Sequence, residues 1–179
     1  MTSSVPNRGK QPRSILAGRY GHPVHPILVT VPIGAWVASL IFDIVAFASS
    51  EEEEAFATGA YWLIAIGVIG AVVAAVFGLI DLLNIARGTK AFRTGLTHMA
   101  INLTVVVLFV IDFIIRAAGN YEEATVPGLI ITIIALILLT ASGYLGGELA
   151  YRYGVRVADE ETQLEGFRSA GTSSESTRT

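Results

Sequence analysis

The run GAYWLIAIGVIGAVVAAVFGLIDLL, residues 59–83, decides the fold. It exceeds the roughly 20 residues that a helix needs to cross a bilayer, and Asp81 is its one charged side chain. Apolar residues surround it, whereas a helix on a soluble bundle keeps a polar stripe. Three further runs behave in the same way: Ile27 to Ser49, Gly95 to Ala118 and Val126 to Gly147. In lipid a helix satisfies its own backbone hydrogen bonds, so each run is predicted to be a transmembrane helix. Composition agrees. Hydrophobic residues make up 53% of the 179 and charged residues 15%, against roughly 25% charged in soluble domains.

The connections 50–58, 84–94 and 119–125 are short, which makes successive helices antiparallel. The expected architecture is an all-α, integral membrane four-helix bundle. Residues 15–157 form the transmembrane domain, and the polar tails 1–14 and 158–179 are expected to be disordered. The first apolar run is too long for a secretory leader and no small-residue cleavage site follows it.

Basic residues set the orientation. Arg8, Lys10, Arg13 and Arg19 precede the first span; Arg87, Lys90 and Arg93 join the second to the third; Arg152, Arg156, Arg168 and Arg178 follow the fourth. The other two connections carry Glu51 to Glu54 and Glu122 with Glu123, and no Lys or Arg. Both termini are therefore expected to be cytoplasmic, in a multi-pass protein of the plasma membrane. Tyr61 and Trp62 fall at the outer boundary, and Tyr20, Tyr151 and Tyr153 at the inner one.

Gly67, Gly70, Ala74, Gly78 and Asp81 share one face of the second span. Small residues let helices approach closely, so this face is an internal contact or a homo-oligomer face. Pro32 removes a hydrogen bond from the Leu28 carbonyl and predicts a kink in the first span. No internal repeat is recognisable.

Polar residues inside the spans fall into two layers. The outer layer holds Asp43, Asp112 and Arg116. The last two stand at i and i+4 and can pair; Asp43 can join them or take part in an ion path. The inner layer holds Asp81, His98, Asn102 and Glu148, with His22 and His25 just ahead of the first span. Along the third span His98, Asn102, Phe109, Asp112 and Arg116 form one face, expected to point inward.

Both prolines of GHPVHP disfavour helical angles in the residue before them, so His22 and His25 are expected in an extended segment that Pro26 converts into a helix. Rings held in place suit ligation of haem or a transition metal, with Asp81, Asn102 and Glu148 orienting the ligands. They equally suit a hydrogen-bonded plug that closes the bundle, or a pH-responsive relay.

The segments GHPVHPILVTVPIG, GLIDLLNIARGT, HMAIN and SGYLGGELAYRYGVRV together resemble the four-helix bacterial membrane family called domain of unknown function 2231, over about Gly21 to Val157. The resemblance implies that His22, Pro23, His25 and Pro26 form the family's opening motif. It places Asp81, His98 and Asn102 at motif positions, with Gly143, Gly146, Gly147 and Tyr151 at the last motif. Some relatives are joined to Rieske-type iron–sulfur domains, which implies a redox context. Many read Tyr-Arg-His-Gly where this chain has Tyr151, Arg152, Tyr153 and Gly154, so a ligand at that position would be missing.

Three functions follow. The first is a non-enzymatic bundle that stabilises or tethers a partner, a redox or other membrane protein. Neither a phosphate loop nor a nucleophile–base constellation is present, cysteine is absent, and no nucleic-acid partner is expected. The second is a haem- or metal-binding redox component using His25 and His98, with His22 as substitute. The third, a small proton or ion transporter, needs a path across the nearly dry stretch LTVVVLFVI, residues 103–111.

Overall fold

The computed structural model describes residues 8–12 and 14–168. Its helices are α1 (His25–Leu28), α2 (Thr30–Ala48), α3 (Glu53–Leu82), α4 (Lys90–Ala118), α5 (Val126–Gly147) and α6 (Glu160–Glu165). A π-helical turn over Glu148–Arg152 continues α5. Four helices are long and apolar enough to cross a membrane: His25–Ala48, Glu53–Leu82, Lys90–Ala118 and Val126–Arg152. We call these the first to fourth spans.

Helix boundaries follow local chemistry. Thr89 and Thr125 each accept a backbone N–H of the first turn of the helix they precede, Phe92 at 3.1 Å and Gly128 at 3.3 Å. Such caps satisfy donors that have no partner within the helix. Replacing either threonine with alanine is expected to cost about 1 kcal/mol, read as a lower melting temperature by circular dichroism in detergent. The α-helical hydrogen bonding of the first span is interrupted at Val29, next to the Leu28 carbonyl that Pro32 cannot bond, at the place where the kink is expected.

Two local expectations change. His25 is the first residue of α1 rather than part of an extended lead-in; its ring is anchored on the second span, and that contact outweighs the pre-proline bias. The described parts of the two tails are also structured. Residues 8–10 form a 3-10 turn whose Gly9 carbonyl accepts the Arg156 N–H at 2.8 Å. Asp159 caps α6 through the Thr162 N–H at 2.9 Å. The segments 1–7 and 169–179 lie outside the described residues.

Around the bundle the first span packs on the second, the second on the third, the third on the fourth, and the fourth on the first. The first and third spans therefore face each other across the diagonal and run in the same direction. Apolar side chains cover the outside, with Ile41, Ile69, Val107 and Ile137 all exposed. Asp43, Asp112, Arg116, Thr132 and Ser142 are buried within. An apolar outside with charges placed inside departs from the usual soluble pattern and suits lipid as solvent.

The small-residue face of the second span is occupied by the first span. Gly67 lies against the Trp36 indole, Gly70 against Val31 and Pro32, and Gly78 against the His25 ring.

Candidate functional site

Three side-chain pairs bridge the diagonal, in layers. At the end where the first span begins and the fourth span ends, the His25 and His98 rings stand perpendicular with centroids 6.4 Å apart. In the middle, Trp36 stacks on Phe109 at 4.2 Å. At the opposite end, Arg116 donates to both carboxylate oxygens of Asp43 at 2.8 Å.

Each of these pairs joins residues 73 apart in the chain. The second and fourth spans keep a matching register. The His25 Nδ1 bonds the Ala74 carbonyl and the His98 Nδ1 the Ser142 carbonyl, both at 2.9 Å. Four residues further on, Gly78 faces the His25 ring and Gly146 faces the His98 ring. Two hairpins thus surround a pseudo-two-fold axis, and the bundle is an internal repeat that the sequence conceals. Identity survives in only one of the three diagonal pairs, His with His. Trp against Phe and Asp against Arg keep the contact and change the chemistry.

The mounting of the two imidazoles decides what they can do. A ring whose Nδ1–H is donated to a backbone carbonyl keeps its lone pair on Nε2. A Cβ at Gly78 would stand 2.9 Å from the His25 Cε1, and one at Gly146 3.2 Å from the His98 Cε1. Glycine at these positions is what lets the rings approach the helices so closely. The symmetry breaks beside His98. There the Asn102 amide donates to the Ser142 Oγ at 2.6 Å and to the His98 carbonyl at 2.9 Å, and stands 3.2 Å from the His98 Nε2. An amide NH2 has two hydrogens. The two shorter contacts satisfy them, and the Nε2 contact is the dispensable one.

The remaining inner-layer residues do not converge on this pair. His22 is exposed, with its Nδ1 3.2 Å from the Tyr20 carbonyl. Glu148 accepts from Arg152 at 3.0 Å and from the Tyr153 hydroxyl at 3.1 Å. Asp81 pairs with Arg156, whose Nε lies 3.0 Å away. Of the expected orienting residues, Asn102 alone touches an imidazole. Among the described residues, no three His, Asp or Glu side chains form a metal-binding group.

Arg156 was read from the sequence as one inner cation among several, and the structure gives it a larger part. Its side chain is 4% exposed. Its Nη2 donates to the Ala17 carbonyl at 2.6 Å. Its backbone takes φ 62°, a left-handed conformation that a side-chain-bearing residue seldom adopts. The Nε lies at ion-pair distance from Asp81 without aiming its N–H at the oxygen, and among the described residues Nη1 has no hydrogen-bond partner. Asp81 follows Gly78, which faces the His25 ring, by about one turn, so the Asp81–Arg156 pair and the His25 ring lie against neighbouring turns of the second span.

In the outer layer Arg116 also donates from Nε to Asp112 at 3.0 Å, and the Thr132 hydroxyl donates to Asp112 at 3.1 Å. All three charged side chains are at most 1% exposed. The expected grouping of Asp43, Asp112 and Arg116 is formed, with Thr132 as a fourth member that the sequence did not single out. Between the layers lie Trp36, Ile64, Val105, Phe109 and Ala135, all buried.

Lipid-facing apolar surfaces, four spans and polar clusters buried at two depths define an integral membrane helical bundle. The chain belongs to the family described as predicted membrane protein (DUF2231), which matches residues 21–159. No curated protein and no solved structure matches it.

Proposed function

We propose that this protein is a non-enzymatic component of the cell membrane, with both termini cytoplasmic, whose working part is the His25–His98 pair. The observation that carries this reading is the matched mounting of the two rings, each tied through Nδ1 to a carbonyl of a neighbouring span and each set against a glycine. The outer cluster is structural, because both of its carboxylates bond the one Arg116 guanidinium inside the bundle. A transport role is disfavoured by the buried apolar core that separates the two layers. The distribution of Lys and Arg supports the orientation. The partner class is a redox or other membrane protein that approaches the cytoplasmic end.

The chain contains no cysteine, so single-cysteine variants give an unambiguous test. With a membrane-impermeant maleimide, Glu122→Cys is expected to label in intact cells. Ser3→Cys and Thr177→Cys are expected to label only after permeabilisation. Proteoliposomes of the full chain are expected to show proton and ion fluxes equal to those of empty vesicles. A tail labelled in intact cells, or a flux abolished by Asp43→Asn, overturns the proposal.

A further inference from the structure

We propose that His25 and His98 are the two axial ligands of one haem, held on the pseudo-two-fold axis between the first and third spans. This rests on the reading that the histidine pair is the working part of the bundle. Two imidazoles that bind one iron from opposite sides have centroids about 6.3 Å apart, given metal–nitrogen bonds of about 2 Å. The observed separation is 6.4 Å, with perpendicular rings. Both Nδ1 atoms are committed to helix carbonyls, which leaves the two Nε2 lone pairs for the iron. Hydrogen bonding of the second ring nitrogen is also how proteins orient a ligating histidine.

The donor count separates haem from a bare ion. Protein sites for zinc and similar metals use three or four side-chain ligands, and among the described residues no third His, Asp or Glu joins this pair. A tetrapyrrole brings four nitrogens of its own and asks the protein for two. The site's near-symmetry suits a flat ligand whose two faces are alike at the iron. Ligands from diagonal spans leave the centre of the bundle spanned by side chains rather than by helix-to-helix backbone packing.

Arg156 supplies a second, independent mark. A buried guanidinium nitrogen without a partner is costly; among the described residues Arg156 Nη1 has none, and the Asp81 that Arg156 pairs with stands about one turn along the second span from Gly78, which faces the His25 ring. A carboxylate side chain of the porphyrin would answer it, as carboxylates answer guanidinium groups elsewhere.

The test uses the full-length protein in detergent, titrated with hemin and then reduced with dithionite. Binding is expected to saturate at one haem per chain, with a low-spin, six-coordinate spectrum and a sharp α band. His25→Asn and His98→Asn keep an N–H for the Ala74 and Ser142 carbonyls, so helix content and elution volume are expected to stay unchanged. Each is expected to lose the low-spin spectrum. Exogenous imidazole is expected to restore it to His98→Ala. Arg156→Gln is expected to weaken hemin binding several-fold and leave the spectrum unchanged.

Absence of saturable binding, a low-spin spectrum that survives both asparagine variants, or one-to-one binding of copper(I) with hemin excluded overturns the haem assignment. Any of these leaves the non-transporting membrane bundle standing. A flux in proteoliposomes removes that broader reading whatever the spectrum shows.

Discussion

Arg116→Met is expected to destabilise the bundle by about 3–5 kcal/mol, the cost of breaking a buried ion pair by removing one partner. The guanidinium makes three hydrogen bonds to two carboxylates that are almost wholly buried. Deleting it leaves Asp43 and Asp112 facing each other in a medium that solvates neither. Thr132 reaches one oxygen of Asp112, whereas the bonds shown for Asp43 among the described residues all come from Arg116. Methionine fills much of the vacated volume, so the loss reports charge more than packing. The triple variant Asp43→Asn, Asp112→Asn and Arg116→Met is expected to recover most of it, because neutral side chains cost far less to bury. Unfolding in mixed detergent, followed by circular dichroism, measures both. A single variant as stable as the parent would show that the cluster does not hold the first and third spans together.

Gly67→Ala is expected to cost about 3 kcal/mol, a large effect for one methyl group. The added Cβ would overlap the indole ring of Trp36. That ring cannot withdraw: it is 1% exposed, stacked on Phe109, and donates its N–H to the Ile64 carbonyl at 3.3 Å. Overpacking a filled core costs about 1–3 kcal/mol, and more where nothing yields. Gly34 is the control, since a Cβ there meets nothing within 4 Å. Gly34→Ala is expected to leave stability unchanged or raise it by up to about 1 kcal/mol through helix propensity. Both variants are read by thermal melting and by tryptophan fluorescence, where only Gly67→Ala should shift the emission of a displaced Trp36.

The spans were legible because lipid demands long, uniformly apolar helices, and the runs around residues 27–49, 59–83, 95–118 and 126–147 meet that demand. The inward face of the third span was legible too, since His98, Asn102, Phe109, Asp112 and Arg116 recur at helical spacing. The company kept by Asp81 and Glu148 was not. Both lie at the right depth, but depth does not say which way a side chain turns. Asp81 turns to Arg156, and Glu148 to Arg152 and Tyr153. Nor did His22 stay with His25, although the same His-Pro step carries both. His25 has a carbonyl waiting on the second span, whereas His22 bonds only its own local backbone. The internal repeat escaped because its diagonal pairs preserve contact rather than residue type. Ser142 and Gly146, which mount His98 as Ala74 and Gly78 mount His25, become recognisable only once the hairpins are superposed about their common axis.

The spacing between Asp43 and Arg116 has a consequence for biogenesis. The carboxylate is synthesised 73 residues before the one cation it pairs with among the described residues. A chain synthesised only as far as its first hairpin therefore holds Asp43 without the Arg116 guanidinium that it pairs with in the folded bundle. The buried cluster of Asp43, Asp112 and Arg116 is thus completed only when the third span joins the first hairpin.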